Sequence, residues 1–147
     1  MSSLKKFLLS KDYISIPLTL TKTNHFEIDA KINGIKGTFI LDTGASNTCV
    51  GIDKHEYFKL TSEHTEIKAA GAGATEMETK IAKNNSINIG GWKSKKRKLV
   101  LFDLVHVNQA LISHQSNPVD GIVGADILKK GKAIIDYKKK RVFLKKR

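Results

Sequence analysis

The residues best placed to do chemistry lie in the stretch GTFILDTGASNTCV, Gly37 to Val50. An apolar run, Thr38 to Leu41, leads straight into Asp42, and Thr43-Gly44-Ala45 turns the chain directly after it. A carboxylate at the end of a buried strand is costly unless hydrogen bonds satisfy it. Asp42 is therefore either a turn cap or a working acid–base group. The work it suits is water activation. Water attacks a peptide carbonyl poorly, and it needs a base to take its proton while an acid protonates the carbonyl oxygen. Two carboxylates forced close together can divide those roles, because their charges cannot coexist and they share one proton.

Other chemistries find no support in the sequence. Gly71-Ala72-Gly73-Ala74-Thr75-Glu76 begins like a dinucleotide fingerprint, but Glu76 occupies the third glycine position and no long helix follows. The five histidines, His25, His55, His64, His106 and His114, show no metal-ligand spacing and read as ordinary loop or surface residues. There is no Gly-x-Ser-x-Gly elbow, and Cys49 sits in an apolar stretch that suits a buried small hydrophobe. No cofactor or metal is implied.

Composition sets the frame around Asp42. At 147 residues and 40% hydrophobic, the chain can build one core, so a single domain is expected over 13–147, preceded by an N-terminal extension over 1–12. With one cysteine no intrachain disulfide is possible, and the cytosol is the expected compartment. The apolar run Phe7-Leu8-Leu9 stops at Ser10-Lys11-Asp12, and no segment is long enough to span a bilayer. The formal charge of +12 is concentrated in two blocks, Lys93 to Lys98 and Lys138 to Arg147. Such a surface attracts polyanions in general. With no zinc knuckle, stacking motif or helix-turn-helix pattern, solvated turns and a solubilising tail are the plainer reading.

The elements that must position Asp42 read mostly as strands. Ile14 to Leu20 alternates; Phe26 to Ile32 and Ile35 to Leu41 form a hairpin around Asn33-Gly34, a pair suited to positive φ, and the second arm delivers Asp42. A short helix is expected over Asp53 to Lys59. Thr65 to Ala70 and Glu76 to Ile81 read as a hairpin with a glycine-rich tip. Strands follow at Ser86 to Ile89 and Lys98 to Leu104, joined through Gly90-Gly91-Trp92 and the first basic block. A strand ending in Gly121 to Gly124 precedes a short helix stopped by Gly131, and Ala133 to Asp136 with Arg141 to Leu144 makes a last hairpin. The fold class expected is an all-β barrel or sandwich with one or two short helices.

At FILDTGAS and GIVGADIL, with AIIDYKKKRVFL in support, the sequence resembles the retroviral-type, retropepsin-like aspartic proteases, from about Ile14 to Leu144. The resemblance implies an acid-protease barrel with one flap hairpin and one short C-terminal helix. It implies an endopeptidase whose paired carboxylates lie within about 3 Å, the arrangement known for aspartic proteases generally. This chain has no second Asp-Thr/Ser-Gly: Asp103, Asp120, Asp126 and Asp136 all lack that setting. The second carboxylate must then come from another copy, making the enzyme a homodimer with one site at the interface. By the same resemblance Asp42, Thr43 and Gly44 would be catalytic, Thr43 gripping its counterpart and Gly44 offering its amide to the dyad. Ala45 and Ser46 would line the substrate channel. The flap would be Ala69, Ala70, Gly71, Ala72, Gly73, Ala74 and Thr75, and Ile122, Val123 and Gly124 would support the Asp42 loop.

The departures from the retroviral pattern are specific. Ser46 stands where those enzymes usually carry an acid and Ala125 where they carry an arginine, so that ion pair is absent. As in the retroviral enzymes, Ala45 stands where pepsins carry a Ser or Thr that bonds the catalytic carboxylate, which moves the expected optimum toward less acidic pH. Two other readings are compatible with the residues: a catalytically silent retropepsin-like dimerisation or peptide-binding module, and, on charge alone, a basic β-barrel that binds nucleic acid.

Overall fold

The computed structural model describes residues 3–60, 62–65 and 79–146, with backbone alone for 62–65. The hairpin that leads to Asp42 is made of β3 (Phe26–Ile32) and β4 (Ile35–Leu41), paired from Phe26 with Leu41 to Ile32 with Ile35. Alternate residues of β3, Phe26, Ile28, Ala30 and Ile32, point into the core. The turn between the strands takes φ of 52° at Asn33 and 81° at Gly34, as its sequence requires. The Asn33 side chain then ties the turn down, donating to Phe58 O and Asn85 Oδ1 and accepting from Ser86 N.

The hairpin is one part of a closed ring. β4 pairs in parallel with β9 (Gly121–Val123), β9 antiparallel with β5 (Cys49–Gly51), and β5 in parallel with β8 (Trp92–Phe102). β8 pairs antiparallel with β7 (Thr79–Ile89), and β7 returns to β3. Six strands therefore close a barrel, which leaves no open edge inside the ring. β6 (Ser62–Thr65) extends β7 on one side and β2 (Thr19–Leu20) extends β3 on the other. The interior holds Phe39, Phe58, Val50, Leu99, Leu101 and Val123 among its fully buried side chains. A separate sheet of β1 (Tyr13–Pro17), β11 (Arg141–Lys145) and β10 (Ile134–Asp136) lies against the same core through Ile16, Val142 and Leu144. No helix among the described residues is long and apolar enough to cross a membrane.

Several expected elements differ. The single strand over Ile14 to Leu20 is two, because Leu18 N donates to Lys140 O after Pro17, and the chain passes from β11 to β3. Over Asp53 to Lys59 there is only a 3-10 turn, Ile52–Lys54, followed by turns that end at Lys59 with φ of 58°. The two strands expected at Glu76 to Ile81 and Ser86 to Ile89 are one from Thr79 onward: the polar Lys83-Asn84-Asn85 step is absorbed as a bulge, with Asn84 at φ of 62° and Asn85 buried. The first basic block is not a connection but the exposed face of β8, where Lys93, Lys95, Lys96 and Lys98 face solvent.

Two helices were not anticipated. α1 (Ser3–Ser10) covers the expected N-terminal extension and buries Leu8, and α2 (Val105–Ser113) follows β8. The third helix, α3 (Ala125–Lys130), was expected, and it ends at Gly131 with Lys129 and Lys130 in its last turn. The glycine-rich hairpin tip expected between Ala70 and Glu76 lies outside the described residues.

Candidate active site

Asp42 leaves β4 as its last paired residue, Leu41, meets Val123 of β9. Its backbone N–H continues the parallel ladder by donating to Val123 O at 3.0 Å. The loop then folds back on the carboxylate: Gly44 N donates to Asp42 Oδ1 at 2.9 Å, and Ala45 N donates to Asp42 O at 3.2 Å. The half-buried acid is thus held by its own turn, with Thr43, Gly44 and Ser46 exposed and Ala45 half-buried. A carboxylate accepting a backbone amide in this way keeps a fixed orientation without a neighbouring cation.

Residues 122 to 124 seat the loop. Ala125 N donates to Ala45 O at 2.7 Å, and Gly124 passes so close beneath the loop that a Cβ there would stand 2.7 Å from Asn47 O and 2.8 Å from Ala45 O. Gly124 is therefore required for its missing side chain. Its N–H donates to Thr48 Oγ1 at 3.0 Å, the Thr48 hydroxyl donates to Asp126 Oδ1 at 2.7 Å, and Asp126 Oδ1 also accepts from Thr48 N and Ile127 N. Buried Thr48 and half-buried Asp126 fasten the loop to α3, and Ser46 and Ala125 carry no ion pair across it. Neither was singled out from the sequence, and the only local signal was an acid in the first turn of α3. Asp120 is a second fastener: its Oδ2 accepts from Thr38 N at 2.9 Å, its main-chain O accepts from Gly51 N, and its Oδ1 faces Lys54 at 3.8 Å.

Two hollows flank the loop. One, of about 310 Å³, lies between Thr43, α3 and β10 and is lined by Ala125, Leu128, Ala133 and Ile135 with Lys129 and Lys132. The other, of about 470 Å³, has Asp42 in its wall beside Ile40, Ile122, Val107 and Leu111. Thr23, His25, Ala110 and His114 complete its lining. Sequence reading set both histidines aside as surface residues and missed α2 altogether. Both histidines are indeed exposed, yet they border the hollow that contains Asp42.

Cys49 is buried behind the loop, its Sγ 3.7 Å from Asn47 O. Burial foremost, then the charges of Asp126 and Asp42, push its thiol up to about 12. It is the small buried hydrophobe expected. The residues expected to form a flap, 69–75, lie outside the described residues.

A family model described as aspartyl protease matches residues 28–127, a span that includes the Asp42 loop, β9 and the start of α3. The chain belongs to the aspartyl protease family. Among solved structures it is similar to a retropepsin-like aspartic protease from Rickettsia conorii, with 20% identity, 90% of this chain and 87% of that one covered, and a TM-score of 0.59. It is also similar to EIAV protease complexed with the inhibitor HBY-793 (21% identity, 82% and 92% covered, TM-score 0.55). A third likeness is to the retroviral protease-like domain of Ddi1 from Leishmania major (17% identity, 82% and 85% covered, TM-score 0.53). No curated protein sequence matches it. The barrel of this member of the aspartyl protease family is thus a retropepsin-like, all-β fold, with α1 and α2 added to the single C-terminal helix expected.

Proposed function

We propose that this aspartyl protease is an endopeptidase that cuts extended peptides with a water molecule activated between Asp42 and the same residue of a second copy. The observation that carries the reading is the Asp42 loop itself: a carboxylate held by the Gly44 amide at 2.9 Å, at the end of a buried strand, with Thr43 exposed beside it. One Asp-Thr-Gly per chain supplies half of a dyad, so a two-fold pairing of loops completes it. Thr43 then meets its counterpart across the axis, and Gly44 keeps the carboxylate oriented. Ile122, Val123 and Gly124 hold the loop from below. Ala45 and Ser46 border the bound peptide. Backbone pairing supplies the main part of peptide affinity and side-chain hollows supply preference.

The test is mass spectrometry of a diverse peptide mixture incubated from about pH 4 to pH 8 with the wild-type protein and with Asp42→Asn. Removing one member of an acid–base pair lowers rate by roughly 10²–10⁴-fold, so cuts present with wild type and absent with the variant support the peptidase. Equal cutting by both, or none from protein shown to be dimeric, removes Asp42 from any catalytic role. Thr43→Ala supplies a second arm. It is expected to weaken the dimer, so that activity per chain falls on dilution more steeply than for wild type, while the fold measured by circular dichroism is unchanged.

A further inference from the structure

We propose that α1 docks this protein on an anionic lipid bilayer, with Leu4 and Phe7 entering the headgroup boundary while the lysines around them meet lipid phosphates. This goes beyond the peptidase reading and does not depend on it. A helix whose only task was to cover a sheet would turn polar residues outward. α1 commits one apolar side chain, buried Leu8, to the fold and leaves Leu4 39%, Phe7 57% and Leu9 48% exposed. Single exposed apolar residues are ordinary, but three in a helix of eight residues form a patch. Leu4 and Phe7 share one flank of the helix with Lys11, and Leu9 stands about half a turn from Phe7, outside that flank.

The fold gathers positive charge around the Leu4–Phe7 flank. Lys11 Nζ lies 5.7 Å from the centre of the Phe7 ring. Directly after α1, Lys146 N donates to Asp12 O at 2.9 Å, and Tyr13 Oη donates to Lys132 O at 2.9 Å. Lys145 Nζ lies 5.9 Å from the centre of the Tyr13 ring, and Lys145 N donates to Gly131 O. Segments far apart in sequence thus bring Lys132, Lys145 and Lys146 to the end of a helix that already carries Lys6 and adjoins Lys11. The one acid from Ser3 to Tyr13 is Asp12, and none of these five lysines has an ion pair among the described residues.

The apolar flank and its charge together select the partner. Nucleic acid would engage the lysines through its phosphates but leave Leu4 and Phe7 in water. A second copy would bring the same lysines to the same place, and like charges would oppose the contact. An anionic bilayer satisfies both halves: the apolar side chains leave water at the boundary, and each lysine held near the surface strengthens binding roughly fivefold. Eight residues are too few to span a bilayer, so the helix lies in the plane of the interface. The contact is also preformed, because Leu8 and the bond from Lys146 to Asp12 hold α1 and its end against the body before any lipid arrives.

The experiment is co-sedimentation of the full chain with vesicles of phosphatidylcholine alone, and of phosphatidylcholine with about 30% phosphatidylglycerol, at about 0.15 M salt. Wild type is expected to bind the anionic vesicles at least tenfold more tightly than the neutral ones. Phe7→Ser is expected to weaken that binding about tenfold, and Lys11→Gln with Lys146→Gln about twentyfold, each with thermal unfolding like wild type. Lys93→Gln with Lys95→Gln, on the exposed face of β8, is expected to bind as wild type does. Insertion is read separately in Phe7→Trp, whose new indole is expected to be quenched by brominated lipid while Trp92, 1% exposed, is not reached. No binding, equal affinity for both vesicles, undiminished binding by Phe7→Ser, or an unquenched indole overturns the proposal. So does a loss in the β8 variant as large as in the Lys11 and Lys146 variant, since attraction would then be general. If vesicles are not bound, a DNA duplex or RNA strand whose binding needs Lys11 and Lys146 but not Phe7 assigns the surface to nucleic acid. A dimer that Phe7→Ser dissociates in sedimentation then assigns it to a second copy, and either result replaces the lipid reading.

Discussion

Cys49 is the residue whose chemistry the fold suppresses most. It is 6% exposed, and burial with two nearby carboxylates raises its thiol from 9.0 to about 12. Alkylation with iodoacetamide at pH 8 is therefore expected to be negligible in the native protein and complete in denaturant; rapid native labelling would show that the loop opens. The raised value also fixes a sign. Stability from keeping this thiol neutral is fully present below pH 9 and is lost as pH rises from 9 toward 12, so alkaline unfolding should ease in that window, and Cys49→Ser should remove that part of the pH dependence. Thr48 makes a different prediction. In Thr48→Val, Gly124 N–H loses its acceptor and Asp126 loses a donor, which costs about 1–3 kcal/mol. A melting temperature within a degree of wild type would contradict that. At this scale Asp42 was legible, because Asp-Thr-Gly at the end of an apolar run is a local pattern. Thr48 and Asp126 were not, since a hydrogen bond between residues 78 positions apart leaves no mark in either neighbourhood.

At the scale of elements, legibility followed how locally each one is determined. The β3–β4 hairpin matched residue for residue because alternation and Asn33-Gly34 specify it without help from the rest of the chain. α2 escaped notice because Val105-His106-Val107 has the β-branched character of a strand, and its start is satisfied by Asp103 Oδ1 accepting from Val105 N at 2.8 Å rather than by a residue at the helix boundary. The Asp two residues ahead was the available signal. The expected Ser86 start failed for the converse reason, as a polar interruption that the pairing with β8 absorbs. Three glycines separate backbone freedom from close approach. Gly34→Ala meets open space at φ of +81° and should cost only about 1–2 kcal/mol. Gly124→Ala meets two carbonyl oxygens under 3 Å away at an ordinary φ, and Gly121→Ala meets Cys49 O and the Phe39 ring. Both should lose more than about 3 kcal/mol, and chemical denaturation that ranked Gly34→Ala as the most damaging of the three would refute this account.

For the whole molecule, β11 is a junction where distant parts of the chain meet. Val142, Phe143 and Leu144 are buried, Trp92 Nε1 donates to Lys145 O at 3.0 Å, Lys145 N donates to Gly131 O, and Lys146 N donates to Asp12 O. Trp92, 1% exposed and the chain's sole tryptophan, therefore reports on this junction. Removing residues 141–147 should red-shift its emission to the position seen in denaturant, and a blue, native-like spectrum would show that the barrel stands without β11. The barrel carries another consequence, in time rather than energy. Asp42 is made early, yet the strand that seats it, β9, comes from the last third of the chain and must slot between β4 and β5, which do not pair with each other. Contacts so distant in sequence form slowly and late. During synthesis the acid leaves the ribosome long before Val123 and Gly124 arrive to fix its loop, so a nascent chain carries the carboxylate without the site.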